Sequence, residues 1–247
     1  MNAENGNFIR EWLRHPLRTA AILPSSPRVA REMASAVPLH GDPVVVELGP
    51  GTGVFTAEIK RRLGGRGRQL AVELSDTFAA QLRQRFPGVE VITGDAVRLR
   101  EILDEHGLDD ADVIISGLPH ALFGRVLQQR FMDAFKSCLA PDGKLVAHAY
   151  VHAAWSPPSR HFRRLLEAGF GELSVGKVHW TNIFPVFVYI ASGMYQFNFN
   201  GRVLTATSAS RAGSAARAGS APTPGGTAPI GSPARAARGP RRSADRG

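Results

Sequence analysis

Cysteine is nearly missing from this sequence of 247 residues, with Cys138 as the single example. One thiol excludes an intrachain disulfide framework and fits a reducing compartment. No apolar run approaches the roughly 18 residues that a membrane-spanning helix needs. The opening stretch MNAENGNFIREW lacks the apolar core of a secretory signal, so the expectation is a cytoplasmic protein. Acidic residues are scarce in one place. Residues 201–247 set eight arginines against Asp245 alone and so carry +7 of the net +9. The first 200 residues are close to neutral, and the basic balance belongs to the tail. That tail also lacks aromatic residues and has almost no large aliphatic ones. It cannot bury enough apolar surface to offset its ordering entropy. It is predicted to be disordered over 201–247, either as a basic arm for an anionic partner or as a passive extension.

What is present, 43% hydrophobic and 21% charged residues, suits one globular domain with a real core. Residues 1–37 read as N-terminal amphipathic helices. In the stretch 7–14, Phe8, Ile9, Trp12 and Leu13 share one helical face, while Arg10, Glu11 and Arg14 take the other. Pro16 ends that helix. Ser26-Pro27 opens a second, running to about Val37, with serine as N-cap and proline in the first turn. From residue 38 to 192, short β-branched runs alternate with helical stretches. Strands are expected at Val44–Leu48, Gln69–Leu74, Glu90–Thr93, Val113–Ser116, Lys144–Tyr150, Leu173–Trp180 and Pro185–Ala191. This alternation predicts an α/β fold, a mostly parallel seven-stranded sheet with helices on both faces. Only Thr181–Phe184 separates the last two strands, which predicts a terminal antiparallel hairpin. That is the outline of a Rossmann-like class I methyltransferase.

Ligands of open α/β sheets bind beyond the carboxyl ends of the strands. The first strand ends in Glu47-Leu-Gly49-Pro-Gly51-Thr-Gly53, and glycine lets backbone turn sharply and approach a ligand closely. An acid followed by G-x-G-x-G suits S-adenosylmethionine better than a pyrophosphate. The second strand ends at Glu73-Leu74, where a carboxylate can accept from both ribose hydroxyls. The third ends at Asp95-Ala96, placed to accept from an adenine amine or simply to make a turn. The fourth ends Ser116-Gly117-Leu118-Pro119-His120, the segment expected to flank the transferred methyl group. On the fifth strand His148, Tyr150 and His152 alternate onto one face and are expected to line the acceptor pocket. His120, His148 and Tyr150 are the candidate proton acceptors. Arg160, Arg163 and Arg164 follow on the next helix, with Arg160 a candidate for an acceptor phosphate. No third ligand accompanies His148 and His152, so no metal is expected.

Ribosomal RNA adenine N6-methyltransferases carry Asn-Leu-Pro-Tyr where this chain has Gly117-Leu-Pro-His120. Glycine offers no side chain to a flipped base, and a nucleic-acid substrate is disfavoured. The Ser116-Gly-Leu-Pro form resembles the bacterial phospholipid N-methyltransferases. Further similar pieces are the leader over Phe8–Ser26, Val46–Gly53, Arg85–Asp95, Tyr150 and Trp180-Thr-Asn182. The resemblance covers about residues 7–191. It implies S-adenosylmethionine-dependent N-methylation of phosphatidylethanolamine and its methylated intermediates. The acceptor is expected at Gly117, Leu118, Pro119 and Arg160, and the membrane at Phe8, Arg10, Trp12 and Arg14. Three alternatives remain open: an RNA adenine N6-methyltransferase, a methyltransferase for another aminolipid or small amine, and a non-catalytic binding protein.

Overall fold

The computed structural model describes residues 26–180, 182–197 and 203–205. Phe8, Arg10, Trp12, Arg14 and the arginines of the tail lie outside the described residues. The first described helix, α1 (Pro27–Ala34), begins because the Ser26 hydroxyl accepts from the Val29 N–H and Pro27 occupies the first turn. Five strands then run parallel: β1 (Val44–Leu48), β2 (Arg68–Glu73), β3 (Glu90–Thr93), β4 (Ala111–Ser116) and β5 (Leu139–Tyr150). They are joined by α2 (Val54–Leu63), α3 (Asp76–Arg85), α4 (Leu99–Glu105) and α5 (Arg125–Cys138). Helix α6 (Pro157–Gly169) leads to β6 (Phe170–Val175), and β7 (Val186–Phe197) inserts antiparallel between β5 and β6. The order is β3-β2-β1-β4-β5-β7-β6.

Strand alternation builds the two layers. Val45, Val113, Ile115, Val146 and Val188 pack against Val29 and Met33 of α1 and Phe55 and Ile59 of α2. Val46, Leu48, Ile114, Leu145 and Ala147 face the opposite way, against Leu99, Phe131, Phe135 and Phe162 of α4–α6. Strands buried on both faces read as continuous apolar runs, which is why β1 and β4 were legible in the sequence. Because β1 lies between β2 and β4, its neighbours diverge at the carboxyl edge and open a crevice there. Among the described residues, no helix is long and apolar enough to cross a membrane.

Three strand boundaries differ from expectation by about five residues or more. β5 starts at Leu139 rather than Lys144. It runs through Pro141-Asp142-Gly143 as a bulge, with a register shift against β4 between Ala111 and Val113. β6 ends at Val175 rather than Trp180, so the connection to β7 spans 176–185 instead of four residues. The departing stretch is drawn over α1, where the His179 ring meets the Glu32 carboxylate and the Asn182 side chain accepts from the Ser26 N–H. β7 continues to Phe197, and an eighth strand, β8 (Val203–Thr205), pairs with it at Tyr195–Phe197. That short β-branched segment lies inside the stretch for which the sequence predicted no order. The unpaired end of β7 supplies the backbone partners that local composition does not reveal.

Candidate active site

The glycine turn after β1 is left-handed at three positions, with φ of 68° at Gly49, 53° at Gly51 and 80° at Gly53. A Cβ at Gly49 would lie 2.8 Å from the Leu118 side chain, and one at Gly53 2.5 Å from the Phe86 ring. Above Gly51 nothing lies within 4 Å, so backbone there faces open space. Glu73, at the end of β2, ties this turn down. One carboxylate oxygen accepts from the Gly51 N–H at 3.1 Å and the other from the Ser75 N–H at 3.0 Å. Burial raises its pKa, while the backbone N–H groups of Ser75, Gly51 and Leu74 pull it back. A carboxylate has about four acceptor positions, so these backbone N–H groups do not exhaust it. Leu74 is half-buried beside it.

Glu47 is different. It is fully buried at the end of β1, and neither carboxylate oxygen has a hydrogen-bond partner among the described residues. Burial pushes its pKa up to about 8, the Glu73 charge adds to this, and the nearby Thr56 opposes it. A buried acid without a donor, beside a glycine turn open at Gly51, fits a ligand that brings a cationic group. Asp95 caps the turn Ala96–Arg98 by accepting from the Val97 N–H at 3.0 Å, with Ala96 buried behind it.

The segment after β4 crosses directly beneath this turn. The Gly117 N–H donates to the Leu48 carbonyl at 2.8 Å. A Cβ at Gly117 would stand 2.7 Å from the Gly49 carbonyl oxygen. There is no room here for an asparagine. Ser116 is fully buried, and its hydroxyl meets the His120 Nε2 at 2.9 Å. The His120 ring stacks on Phe162 with centroids 3.9 Å apart, edged by Phe123, Phe131 and Phe135. Gln128 braces its backbone, donating to the His120 carbonyl at 2.6 Å.

Pro119, His120, His148, Tyr150 and His152 all line one small chamber of about 80 Å³. Its volume suits a compact head group; each water would occupy about 10–15 Å³ on this measure. The structure thus brings together the fourth- and fifth-strand residues that the sequence singled out. Both histidines are held neutral. Burial pushes the His120 pKa down to about 3, with His148 adding to the effect. Burial likewise pushes His148 down to about 4, opposed by a hydrogen bond to the Ser116 backbone. The Nδ1 atoms of His120 and His148 are buried without partners. Tyr150 closes one side, edge-on to His148 at 5.5 Å and stacked with His152 at 5.6 Å.

Sequence reasoning missed other walls of this chamber, among them Ser159, Phe162, Phe184 and Tyr189. Tyr189 arrives through the register of β7 on β5, opposite Ala147, and no local pattern encodes that. Arg160 lies elsewhere. It is exposed and lines a second groove that meets the chamber at Tyr189.

Comparison with known proteins agrees with this geometry. A model of the methyltransferase domain matches residues 45–143. The ornithine lipid N-methyltransferase of Singulisphaera acidiphila is 36% identical over 139 residues, covering 55% of this chain and 72% of that relative. This chain belongs to that methyltransferase family. A ribosomal RNA small subunit methyltransferase A, from Thermotoga petrophila, is 26% identical over 47% of this chain. The methyltransferase spans only 42% of that relative's length. The O-methyltransferase of Bacillus cereus, solved with SAH, shares the fold, with TM-score 0.54 over 74% of this chain and 89% of that one at 18% identity.

In this family member the close approach of the Gly49 carbonyl leaves Gly117 no space for a larger side chain. Gly117→Asn overpacks the β1–β4 contact at a cost of about 1–3 kcal/mol. Thermal unfolding of the variant is expected roughly 3–10 °C lower. No gain of RNA methylation is expected, because the new side chain displaces the glycine turn instead of reaching a base. An unchanged melting temperature would contradict the 2.7 Å approach.

Proposed function

We propose that the protein transfers methyl groups from S-adenosylmethionine to the primary amine of an aminolipid head group at a membrane surface. Phosphatidylethanolamine and its methylated intermediates are the acceptor that the Ser116–Pro119 segment favours. The ornithine lipid relative favours a second head group, whose amine also lies near an acid. The carrying observation is the aromatic chamber beside the glycine turn, walled by the neutral His148 together with Tyr150 and His152. The membrane is reached, in this reading, through Phe8, Arg10, Trp12 and Arg14, which lie outside the described residues.

S-adenosylmethionine, when bound, supplies an electrophilic methyl group on a sulfonium. Glu73 and the open face of Gly51 are placed to hold its ribose, and Asp95 with Ala96 its adenine. Glu47 is placed for its ammonium. The acceptor arrives as an ammonium and must lose a proton before its lone pair can attack. Desolvation among Phe162, Phe184 and Tyr189 favours the neutral amine, and the proton leaves to water. With a pKa of about 4, His148 does not keep that proton near neutral pH. In this reading a ring nitrogen of His148 takes a hydrogen bond from a remaining N–H and so turns the amine lone pair toward the methyl group.

Glu47 gives a binding test. Without ligand it is protonated at about pH 6.5, where the ligand's α-amino group is charged. Ion pairing requires the carboxylate, so S-adenosylmethionine binding releases a proton and strengthens as pH rises toward the Glu47 pKa of about 8. Calorimetry in two buffers of different ionisation enthalpy reads this release, and Glu47→Gln is expected to abolish it. Release of the same size in the variant would remove Glu47 from the site.

The acceptor is tested by steady-state assays on vesicles containing phosphatidylethanolamine or an ornithine lipid. Higher kcat/KM on phosphatidylethanolamine supports the first head group. Higher kcat/KM on ornithine lipid transfers the reading to the second, and turnover of neither sinks the lipid reading.

A further inference from the structure

The groove on which Arg160 lies has no role in methyl transfer as derived above, yet it is the larger of the two spaces, about 480 Å³. Arg160, Arg163 and Arg164 stand along one side of α6, spaced so that all three reach the same groove. Arg163 is engaged by Glu167 at 2.8 Å. The guanidinium groups of Arg160 and Arg164 have no hydrogen-bond or ion-pair partner among the described residues. One carboxylate against three guanidinium groups leaves the groove positive. Its remaining walls are apolar: Val175, Val178, Phe187 and the ring of Trp155. Trp155 is 82% exposed, an unusual position for so large an apolar ring unless something covers it. Around the neighbouring chamber mouth, the 176–185 connection exposes Trp180 at 71% and Ile183 at 64%. Phe184 of the same connection packs on His152 in the chamber wall.

From this juxtaposition we infer that the Arg160–Arg164 groove binds the anionic head group of a second, acidic lipid, and that Trp155 enters the bilayer boundary beside it. A guanidinium pair fits a phosphate, an apolar wall fits the attached chain, and an exposed indole fits the headgroup level. The occupant is an anionic lipid surface. A nucleic acid would leave the apolar wall unused. A soluble phosphate would leave Trp155 in water. Because groove and chamber meet at Tyr189, docking here presents the chamber mouth to the layer that holds the acceptor. The inference does not depend on which amine is methylated.

The test is vesicle co-sedimentation of the full chain without methyl donor. Vesicles contain phosphatidylcholine with or without 30 mol% phosphatidylglycerol. The double variant Arg160→Gln/Arg164→Gln is expected to bind the anionic vesicles roughly 30-fold more weakly, from about tenfold or less per arginine near a charged surface. Trp155→Ser is expected to weaken binding to the same vesicles, and Arg130→Gln, an exposed charge on α5, to change it little. Circular dichroism of each variant confirms that it folds. Vesicle binding by the double variant equal to wild type overturns the inference. So does unchanged vesicle binding with a raised KM for acceptor, which would assign the groove to the acceptor's own anion. Displacement of the wild type by millimolar inorganic phosphate with no dependence on Trp155 would mark a soluble-anion site and overturn it as well. Intact vesicle binding by a chain that methylates no lipid would instead sink the functional reading and leave the groove standing.

Discussion

Glu73→Ala is expected to weaken S-adenosylmethionine binding by at least about 100-fold. The carboxylate holds the Gly51 and Ser75 N–H groups at 3.1 and 3.0 Å, and its remaining lone pairs are those proposed to take the ribose. Hydrogen bonds to a charged acceptor contribute about 1.5–3 kcal/mol each, and alanine removes those to the ligand while loosening the turn. Glu73→Gln keeps one carbonyl acceptor of the same length, so an intermediate loss is expected. Calorimetric titration of the three proteins reads the series. Equal affinity for wild type and Glu73→Ala would show that the turn is not the cofactor site.

His148→Phe is expected to lower kcat about 100-fold or more while leaving S-adenosylmethionine affinity near wild type. Phenylalanine preserves the ring that packs edge-on against Phe55 at 5.9 Å and Tyr150 at 5.5 Å, and deletes only the nitrogens. Loss of one group that orients the reacting amine costs on the order of 10²-fold in rate. The same residue fixes the pH profile. Because His148 and His120 titrate near pH 4 and 3, neither is expected to give an inflection between about pH 5 and 8. The rate should rise with pH over that range as the amine loses its proton. Stability carries a further readout. In the unfolded chain each histidine binds its proton near pH 6.5, and in the fold only near 4 or 3. The unfolded state therefore holds more protons across that window, and stability falls as pH drops from about 6.5 to 4. His148→Phe should flatten that acid limb. A sharp rate inflection near pH 6.5 that disappears in the variant would make His148 a true proton carrier and contradict this mechanism.

The parts of the site legible in sequence were those whose chemistry is local. Glu47 through Gly53, Glu73 and Asp95 lie at or just beyond the ends of strands, and strand ends were readable from short apolar runs beside turn residues. Gly117 was noticed for the side chain it lacks, but the reason for the lack is the Gly49 carbonyl 2.7 Å away, a contact across two strands. The chamber was half visible. His148, Tyr150 and His152 announced themselves by alternation. Phe162, Phe184 and Tyr189 did not, because a helix face, a ten-residue connection and an antiparallel register bring them in from three places. The length of that connection was misjudged for a related reason: Val178 and His179 alternate like strand residues, yet His179 is held by Glu32 on α1. Arg160 was placed by proximity in sequence to Tyr150, whereas the turn of α6 carries it to the far side of Ser159, into the neighbouring groove.

The central claim is that this methyltransferase modifies a lipid amine and not a nucleobase. It is tested most directly by one competition. Purified protein is incubated with methyl-labelled S-adenosylmethionine in a single mixture of aminolipid vesicles and ribosomal RNA, and the two fractions are then separated and counted. Label in the lipid fraction alone, lost in Glu73→Ala, is the predicted result. Label in the RNA alone would contradict the account, since it would require a base to be held beside a Gly117 that has no side chain and no room for one.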